Sequence, residues 1–177
     1  MKSIAEQMSF YDAYHKNSWN KATHFIGIPS IIFSILIPMG WLSMEIGGYG
    51  VTAAMVFVAV VLAYYYALDT ALALGMTLFI VPVLYAAHLV AQWSYGAGIA
   101  MFLVFFVGGW IFQLIGHGVF EKRRPALTDN LFQMIIGPIF MVAEVYFLLG
   151  FKQELRTEVK RLGAAAYGGT QSIPASE

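Results

Sequence analysis

The chain contains four histidines, His15, His24, His88 and His117, and they are its best candidates for metal chemistry. Neutral imidazole nitrogens suit iron(II) and zinc. The chain has no cysteine, which excludes disulfides, thiolate zinc sites and cysteine nucleophiles. A single histidine in an apolar segment is more often hydrogen-bonded than metal-bound. Metal chemistry therefore depends on whether the fold brings several of them together.

His15 and His24 are nine residues apart, which would place them on opposite faces of one straight helix. The segment between them, Asn17-Ser18-Trp19-Asn20, contains residue types that favour turns and helix N-caps. Two helical pieces joined there would bring the two imidazoles together. We then expect Pro29 to mark the start of the first membrane helix.

His117 lies between Gly116 and Gly118, and such small neighbours permit close approach by another helix or by a ligand. Glu121 follows four residues later, on the same helix face. It is the candidate catalytic carboxylate, because the pair can supply two metal ligands, or one ligand and the group that orients it. Alternatively, Glu121 pairs with the cations that follow it, Lys122-Arg123-Arg124.

His88 is harder to place near the other three. A full crossing of its segment puts His88 near the opposite membrane face, about 27 Å away along the helix. A kink at Pro82 would shorten that distance. Otherwise His88 is structural and bonds to Gln92, one turn later.

Composition indicates a membrane protein. Hydrophobic residues make up 59% of the 177 residues and charged residues 11%, against about 25% charged in soluble domains. No Lys or Arg occurs between Lys21 and Lys122, a stretch of 100 residues. This pattern excludes a disordered chain, a nucleic-acid-binding surface and an ordinary soluble enzyme. It predicts an all-α integral membrane protein.

Four apolar segments are long enough to cross a membrane as helices, which takes about 20 residues. They are Ile28–Ile46, Val51–Leu68, Ala71–Val90 and Gly98–His117. A fifth apolar segment, Leu131–Phe151, contains Gly137-Pro138 and Glu144. Because proline breaks helices and a buried carboxylate is costly, we expect this segment to be bent, re-entrant or interfacial.

The N-terminal stretch is expected to lie at the membrane surface, to pack on the other helices, or both. Its apolar residues recur at spacings of three and four, which is typical of an amphipathic helix; they are Ile4, Met8, Tyr11 and Tyr14. We expect residues 1–163 to form one membrane-embedded domain and residues 164–177 a disordered tail. With four crossings, the positive-inside rule places the metal site near the cytoplasmic face.

Two motifs resemble those of a known family. One joins N-terminal aromatic residues to two histidines and a proline, and the other surrounds the Gly-His pair. They comprise Phe10-Tyr11, Tyr14-His15, Asn20, His24, Gly27 and Pro29, and then Trp110–Gln113 and Gly116–Leu127. Together they resemble the Mpo-type 2-hydroxy fatty acid dioxygenases, small multi-helix membrane proteins, over about residues 8–155.

The resemblance implies an iron(II)-dependent α-oxidation, in which a 2-hydroxy fatty acid and O₂ give a fatty acid one carbon shorter. It implies Fe²⁺ binding by the four histidines, with Glu121 as a functional carboxylate. A cation of Lys122-Arg123-Arg124 would pair with the substrate carboxylate. The implied location is the endoplasmic reticulum in a eukaryote or the inner membrane in a bacterium, with the lipid bilayer as partner and no nucleic acid.

Two other function classes stay open from the residues alone. One is a membrane enzyme of another reaction type, a zinc-dependent lipid hydrolase or a lipid hydroxylase. The other is a non-enzymatic transporter or scaffold, in which the histidines and Glu144 serve proton or ion passage. The small number of histidines disfavours a diiron hydroxylase, and no internal repeat supports a transporter.

Overall fold

The computed structural model describes residues 2–167, which fold into seven α-helices and one small hairpin. The order is α1 (Ile4–Ala13), α2 (Ser18–Trp41), β1 (Ser43–Ile46), β2 (Tyr49–Thr52), α3 (Ala53–Leu68), α4 (Thr70–Ala91), α5 (Tyr95–Ile115), α6 (Gln133–Leu148) and α7 (Gln153–Tyr167). A π-helical segment (Gly116–Glu121) extends α5, and a short 3₁₀ turn (Ala126–Thr128) precedes α6. The all-α prediction is confirmed.

Within residues 2–167, three helices are long and apolar enough to cross a membrane: α2, α4, and α5 with its π-helical extension. Large apolar side chains point outward from them, among them Leu78 and Val104. Such exposed apolar surface fits a bilayer rather than water. Helices α3 and α6 have 16 residues each, fewer than the roughly 20 that a crossing takes. The chain is thus an α-helical membrane protein, and four full crossings stay a prediction.

Helix α2 differs from the predicted Ile28–Ile46 segment at both ends. It begins ten residues earlier, at Ser18, because the Asn17 side chain caps it by accepting a hydrogen bond from the Trp19 N–H at 2.8 Å. Pro29 therefore lies inside the helix and does not start it. The helix ends at Trp41, and the hairpin follows. Its turn consists of Gly47 and Gly48, whose positive φ angles of 59° and 83° suit glycine.

Helices α2 and α5 touch backbone to backbone at two glycines. A Cβ placed on Gly27 would lie 2.9 Å from the Gly109 carbonyl oxygen, and a Cβ on Gly109 would lie 2.9 Å from that of Gly27. Real Cβ atoms do not approach this closely, so only glycine fits at either position. His24 lies one turn before Gly27, so this contact fixes the distance between His24 and the end of α5.

Helix α6 lies in the interior of the fold. Residues 136–143 are all buried, and they pack with α1 and α4. The Glu144 carboxylate pairs with the Lys21 ammonium of α2 at 2.6 Å, which satisfies both charges. The middle of the predicted fifth segment is therefore a buried helix, joined to α2 by an ion pair, whereas its ends are exposed, as at Leu131 and Leu148. A bent, re-entrant or interfacial course in the membrane stays a prediction.

Helix α7 continues to Tyr167, so the first four residues of the predicted tail are helical. The remainder of that tail, 168–177, lies outside the described residues. The helix begins three residues after Gly150, whose positive φ of 86° allows the chain to turn after α6. It packs beside α1, where Val159 is buried in the same core as Met8.

Candidate metal centre

Three of the four histidines meet at one end of the fold. His15 follows α1, His24 lies in the second turn of α2, and His117 lies in the π-helical segment after α5. One nitrogen from each lies within 4.8 Å of the others. The three residues are buried, with exposures of 2%, 6% and 3%. Within residues 2–167 this is the only group of three or more potential metal ligands.

The chain sets the tautomer of two of these rings. The Nδ1–H of His15 donates to the Tyr11 carbonyl at 2.7 Å, and that of His24 donates to the Asn20 carbonyl at 2.8 Å. A carbonyl oxygen only accepts, so the proton of each neutral ring is on Nδ1. Each Nε2 therefore presents a lone pair.

These two lone pairs face each other. The Nε2 atoms of His15 and His24 are 3.1 Å apart. Desolvation by burial, with His24 as a close neighbour, holds the pKa of His15 well below its usual value, so this ring is neutral at physiological pH. Two neutral acceptors at this distance repel unless a cation lies between them. Nitrogens that bind one ion at about 2.1 Å each, at neighbouring positions, lie about 3 Å apart.

His117 adds an unpaired nitrogen to the group. Its ring centroid lies 4.8 Å from that of His15 and 5.0 Å from that of His24. Its Nδ1 is buried and makes no hydrogen bond with any part of the chain that the structure describes. A buried nitrogen without a partner is costly. The donor set thus fits a metal ion: three imidazoles suit iron(II) or zinc and leave coordination positions open for a substrate.

Tyr11 and Asn20 also shape the candidate site, a part that their sequence positions did not predict. Besides its carbonyl bond, the Tyr11 ring stacks on the His15 ring at 3.8 Å between centroids, almost parallel. Asn20 is fully buried. The signal was the spacing: each histidine lies four residues after the carbonyl that binds its Nδ1, the distance of one helical turn.

Glu121 holds the turn that carries His15. Its carboxylate accepts three hydrogen bonds, from the backbone N–H groups of Lys16 at 2.9 Å and Asn17 at 3.0 Å and from the Asn20 side-chain amide at 2.9 Å. The carboxylate is thus bonded to the start of α2 rather than to His117 or to the cations after it. This geometry favours a positioning role for Glu121, and the catalytic role expected from the sequence stays a prediction.

The structure does not bring His88 to the other three histidines. It lies near the end of α4 and its Nε2 is 3.2 Å from the side-chain nitrogen of Gln92. Helix α5 begins at Tyr95 and its extension carries His117, a rise of about 33 Å. His88 is therefore at the opposite end of the bundle, and the alternative of a bond to Gln92 is confirmed.

One cation of Lys122-Arg123-Arg124 was expected to pair with a substrate carboxylate, and two of the three have other partners. Arg123 donates to the Ala13 carbonyl at 3.1 Å, and its guanidinium lies 4.0 Å from the Tyr14 ring centroid. Arg124 pairs with Asp129 at 3.1 Å. Both therefore fasten the loop after the π-helical segment, Arg123 to the end of α1 and Arg124 within the loop. Lys122 is exposed, with a left-handed backbone at φ 51°.

A cavity of about 90 Å³ is lined by all three imidazoles. Its other walls come mostly from apolar side chains of α2, α5, α6 and the 3₁₀ turn, among them Ile28, Ile31, Trp110, Ala126 and Pro138. The space beside the three nitrogens is therefore mainly apolar, with Gln113 and Gln133 among its few polar lining residues. The arrangement suits a substrate with one polar end and an apolar body.

Comparison with known proteins identifies the family of the chain. A family model described as 2-hydroxy-palmitic acid dioxygenase Mpo1-like matches residues 1–149. The 2-hydroxy-palmitic acid dioxygenase MPO1 of Saccharomyces cerevisiae is 34% identical over 160 residues, covering 89% of this chain and 87% of that protein. No solved structure matches the chain. The chain belongs to the Mpo1-like family.

Proposed function

We propose that this protein is an iron(II)-dependent dioxygenase that shortens 2-hydroxy fatty acids by one carbon. The observation that carries the proposal is the pair of Nε2 atoms, 3.1 Å apart, with both Nδ1 protons tied to carbonyls. The similarity to a 2-hydroxy-palmitic acid dioxygenase supports the substrate class and the use of O₂. The proposed metal ligands are His15, His24 and His117.

The proposed reaction balances without an external reductant. The 2-hydroxy acid R–CH(OH)–COOH and O₂ give R–COOH, CO₂ and H₂O. The bond between carbon 1 and carbon 2 breaks, and carbon 2 becomes the new carboxyl carbon. The substrate supplies all the electrons that reduce O₂, so no reduced cofactor is needed.

Iron(II) would supply O₂ activation and a binding position for the substrate's hydroxyl and carboxylate. The chain's own residues do the remaining work. The carbonyls of Tyr11 and Asn20 keep the Nε2 lone pairs of His15 and His24 free, and Glu121 fixes the turn between these histidines. The apolar walls of the cavity exclude bulk water from the polar end of the substrate.

The test is anaerobic reconstitution of the purified protein with Fe²⁺, Zn²⁺ or Mn²⁺, followed by 2-hydroxypalmitic acid and O₂. We expect pentadecanoic acid and CO₂ in equal amounts with Fe²⁺ only. Turnover with Zn²⁺ at the Fe²⁺ rate would contradict the redox reaction and favour the zinc-dependent alternative. No shortened acid with any metal would refute the proposed function.

We further propose that the metal centre faces the cytoplasm, from the endoplasmic reticulum membrane in a eukaryote or from the inner membrane in a bacterium. The cations Lys16, Lys21 and Arg123 lie at the end of the fold that holds the three histidines, as the positive-inside rule requires. The chain has no cysteine, so Lys122→Cys gives a single exposed thiol. An impermeant reagent should label this thiol from the cytoplasmic side; labelling from the other side would reverse the proposed topology.

A further inference from the structure

A second cavity, of about 340 Å³, lies between α2, α3, α4 and α6. Its walls are apolar side chains, including Leu36, Val58, Met76 and Ile80. Among its described lining side chains only Tyr65 carries a polar atom, and that hydroxyl donates to the Ile135 carbonyl. The cavity therefore offers no unpaired side-chain hydrogen-bonding group to a ligand, and its size is within the usual range for ligand sites.

This cavity adjoins the metal centre. Four residues line both it and the smaller cavity beside the imidazoles, namely Ile31, Ile32, Met134 and Pro138. The two spaces follow one another along α2, where the rise from His24 to Leu36 is about 18 Å. A ligand whose polar end meets the three nitrogens would thus extend its apolar part past these four residues into the larger cavity.

The far end of the larger cavity is formed by Leu36 and Val58. The hairpin reverses the chain between α2 and α3. Leu36 lies five residues before the end of α2, and Val58 lies five residues after the start of α3. The two side chains are therefore at the same level along the helices. Both are buried, with exposures of 1% and 6%. Phe57, which also lines the cavity, lies one residue nearer the start of α3 but is 43% exposed. Leu36 and Val58 are therefore the buried side chains of α2 and α3 at the end of the cavity away from His24, and we expect them to limit the length of anything that fills it.

We propose that the larger cavity, between α2, α3, α4 and α6, binds the acyl chain of the 2-hydroxy acid and that Val58 at its far end limits chain length. The inference rests on the proposed function for the identity of the ligand. Each methylene moved from water into such walls strengthens binding about fourfold. The kcat/KM should therefore rise with chain length until the chain reaches Val58 and Leu36.

The test compares Val58→Phe with Val60→Phe, the same change on the same helix. Val60 is 64% exposed and does not line the cavity, so it is the matched control. We expect V58F to lower kcat/KM for 2-hydroxypalmitic acid at least tenfold, the binding of about two methylenes, and to leave 2-hydroxyoctanoic acid within about twofold. V60F should change neither. An equal loss for both acids in a V58F protein that still binds metal would overturn the proposal.

A binding measurement separates this inference from the proposed function. A 2-hydroxy fatty acid with a diazirine at its terminal carbon is photolysed with the full-length protein, without added metal or O₂. We expect crosslinks on α3 near Val58 in the wild type and in V60F, and their loss in V58F. Crosslinks confined to outward-facing positions such as Val104 would overturn the proposal. If the wild type is crosslinked near Val58 but forms no shortened acid in the separate assay with Fe²⁺ and O₂, the binding site is supported and the dioxygenase reaction is refuted.

If V58F does not fold, Val61→Phe replaces it. Val61 lines the same cavity but is only partly buried, so the larger ring has more room to adjust. We expect V61F to show the same selective loss of the long acid and of the α3 crosslink. Unchanged kinetics and crosslinking in a folded V61F protein would count against the proposal.

Discussion

His88 and His117 stand in the same local pattern in opposite halves of the bundle. Each lies four residues before a polar side chain, Gln92 in one case and Glu121 in the other. Gln92 bonds to His88 itself, so that pair is complete within its own helix. Glu121 bonds to the turn that carries His15, and the Nδ1 of His117 has no hydrogen-bond partner among residues 2–167. Equal spacing thus yields a structural histidine at one end and a candidate metal ligand at the other.

The difference comes from what packs against each helix end. At the His117 end, the α1–α2 turn supplies backbone N–H groups that need an acceptor, and α2 supplies a second histidine. The π-helical segment also changes the geometry, because its hydrogen bonds join residues five apart and its side chains lose the α-helical register. At the His88 end, no second histidine is within reach in the part of the chain that the structure covers.

The largest expected effect is the loss of one imidazole from the three-histidine group. His117→Ala should lower iron affinity by more than the roughly 10–100-fold that loss of an orienting group costs, and should abolish turnover. His88→Ala should leave iron content and turnover within about twofold, because its partner is Gln92. Metal analysis after gel filtration measures both variants. Iron loss in H88A, or full iron occupancy in H117A, would contradict the assignment of His117 as a metal ligand and of His88 as a residue outside the site.

A smaller effect is expected from Glu121, the side chain four residues after His117. Glu121→Ala removes the acceptor of three hydrogen bonds in the turn between His15 and His24. Iron affinity should fall about 10–100-fold while the iron-bound enzyme keeps measurable turnover, as expected of a positioning residue. Gln92→Ala is the matched control and should not change iron affinity. A titration with Fe²⁺ under anaerobic conditions decides; equal affinities in both variants would show that Glu121 does not position the site.

The smallest expected effect concerns the glycines on either side of His117. A Cβ on Gly116 would collide with the Thr23 hydroxyl and the Asn20 side chain, and Asn20 is fully buried and cannot move aside. Gly116→Ala should lower the free energy of unfolding by about 1–3 kcal/mol. A Cβ on Gly118 would meet no atom within 4 Å. The free energy of unfolding of the Gly118→Ala protein should therefore equal or slightly exceed that of the wild type. Thermal unfolding in detergent compares the two, and equal midpoints would contradict the close approach of α2.

Much of this end of the molecule was predictable from local rules. The segment of residues 17–20 predicted a turn between His15 and His24, and the structure has a turn between them. That turn lies earlier than predicted: it ends at Asn17, the cap of α2, and Ser18 to Asn20 are already helical. The glycines beside His117 predicted close helix contact, which Gly116 makes with α2. Both features are short-range, because capping and glycine contact depend on the residue itself and its neighbours.

The features that were missed depend on contacts between distant segments. The bonds of Glu121 join residues about 100 positions apart, and no spacing within its own helix indicates them. Hydropathy extended the first membrane helix through Ile46, since Met44 and Ile46 are apolar, although both side chains are exposed on a strand. The Gly47-Gly48 pair was a usable signal for that hairpin.

X-ray absorption at the iron edge tests the central claim most directly, because it counts the imidazoles bound to the metal. Wild type and H88A, each reconstituted anaerobically with Fe²⁺, should give the same spectrum, with three histidine nitrogens per iron. The H117A protein, loaded at high Fe²⁺ concentration, should lose one of them. An iron shell without imidazole in the wild type, or a loss of imidazole in H88A, would contradict a centre built from His15, His24 and His117.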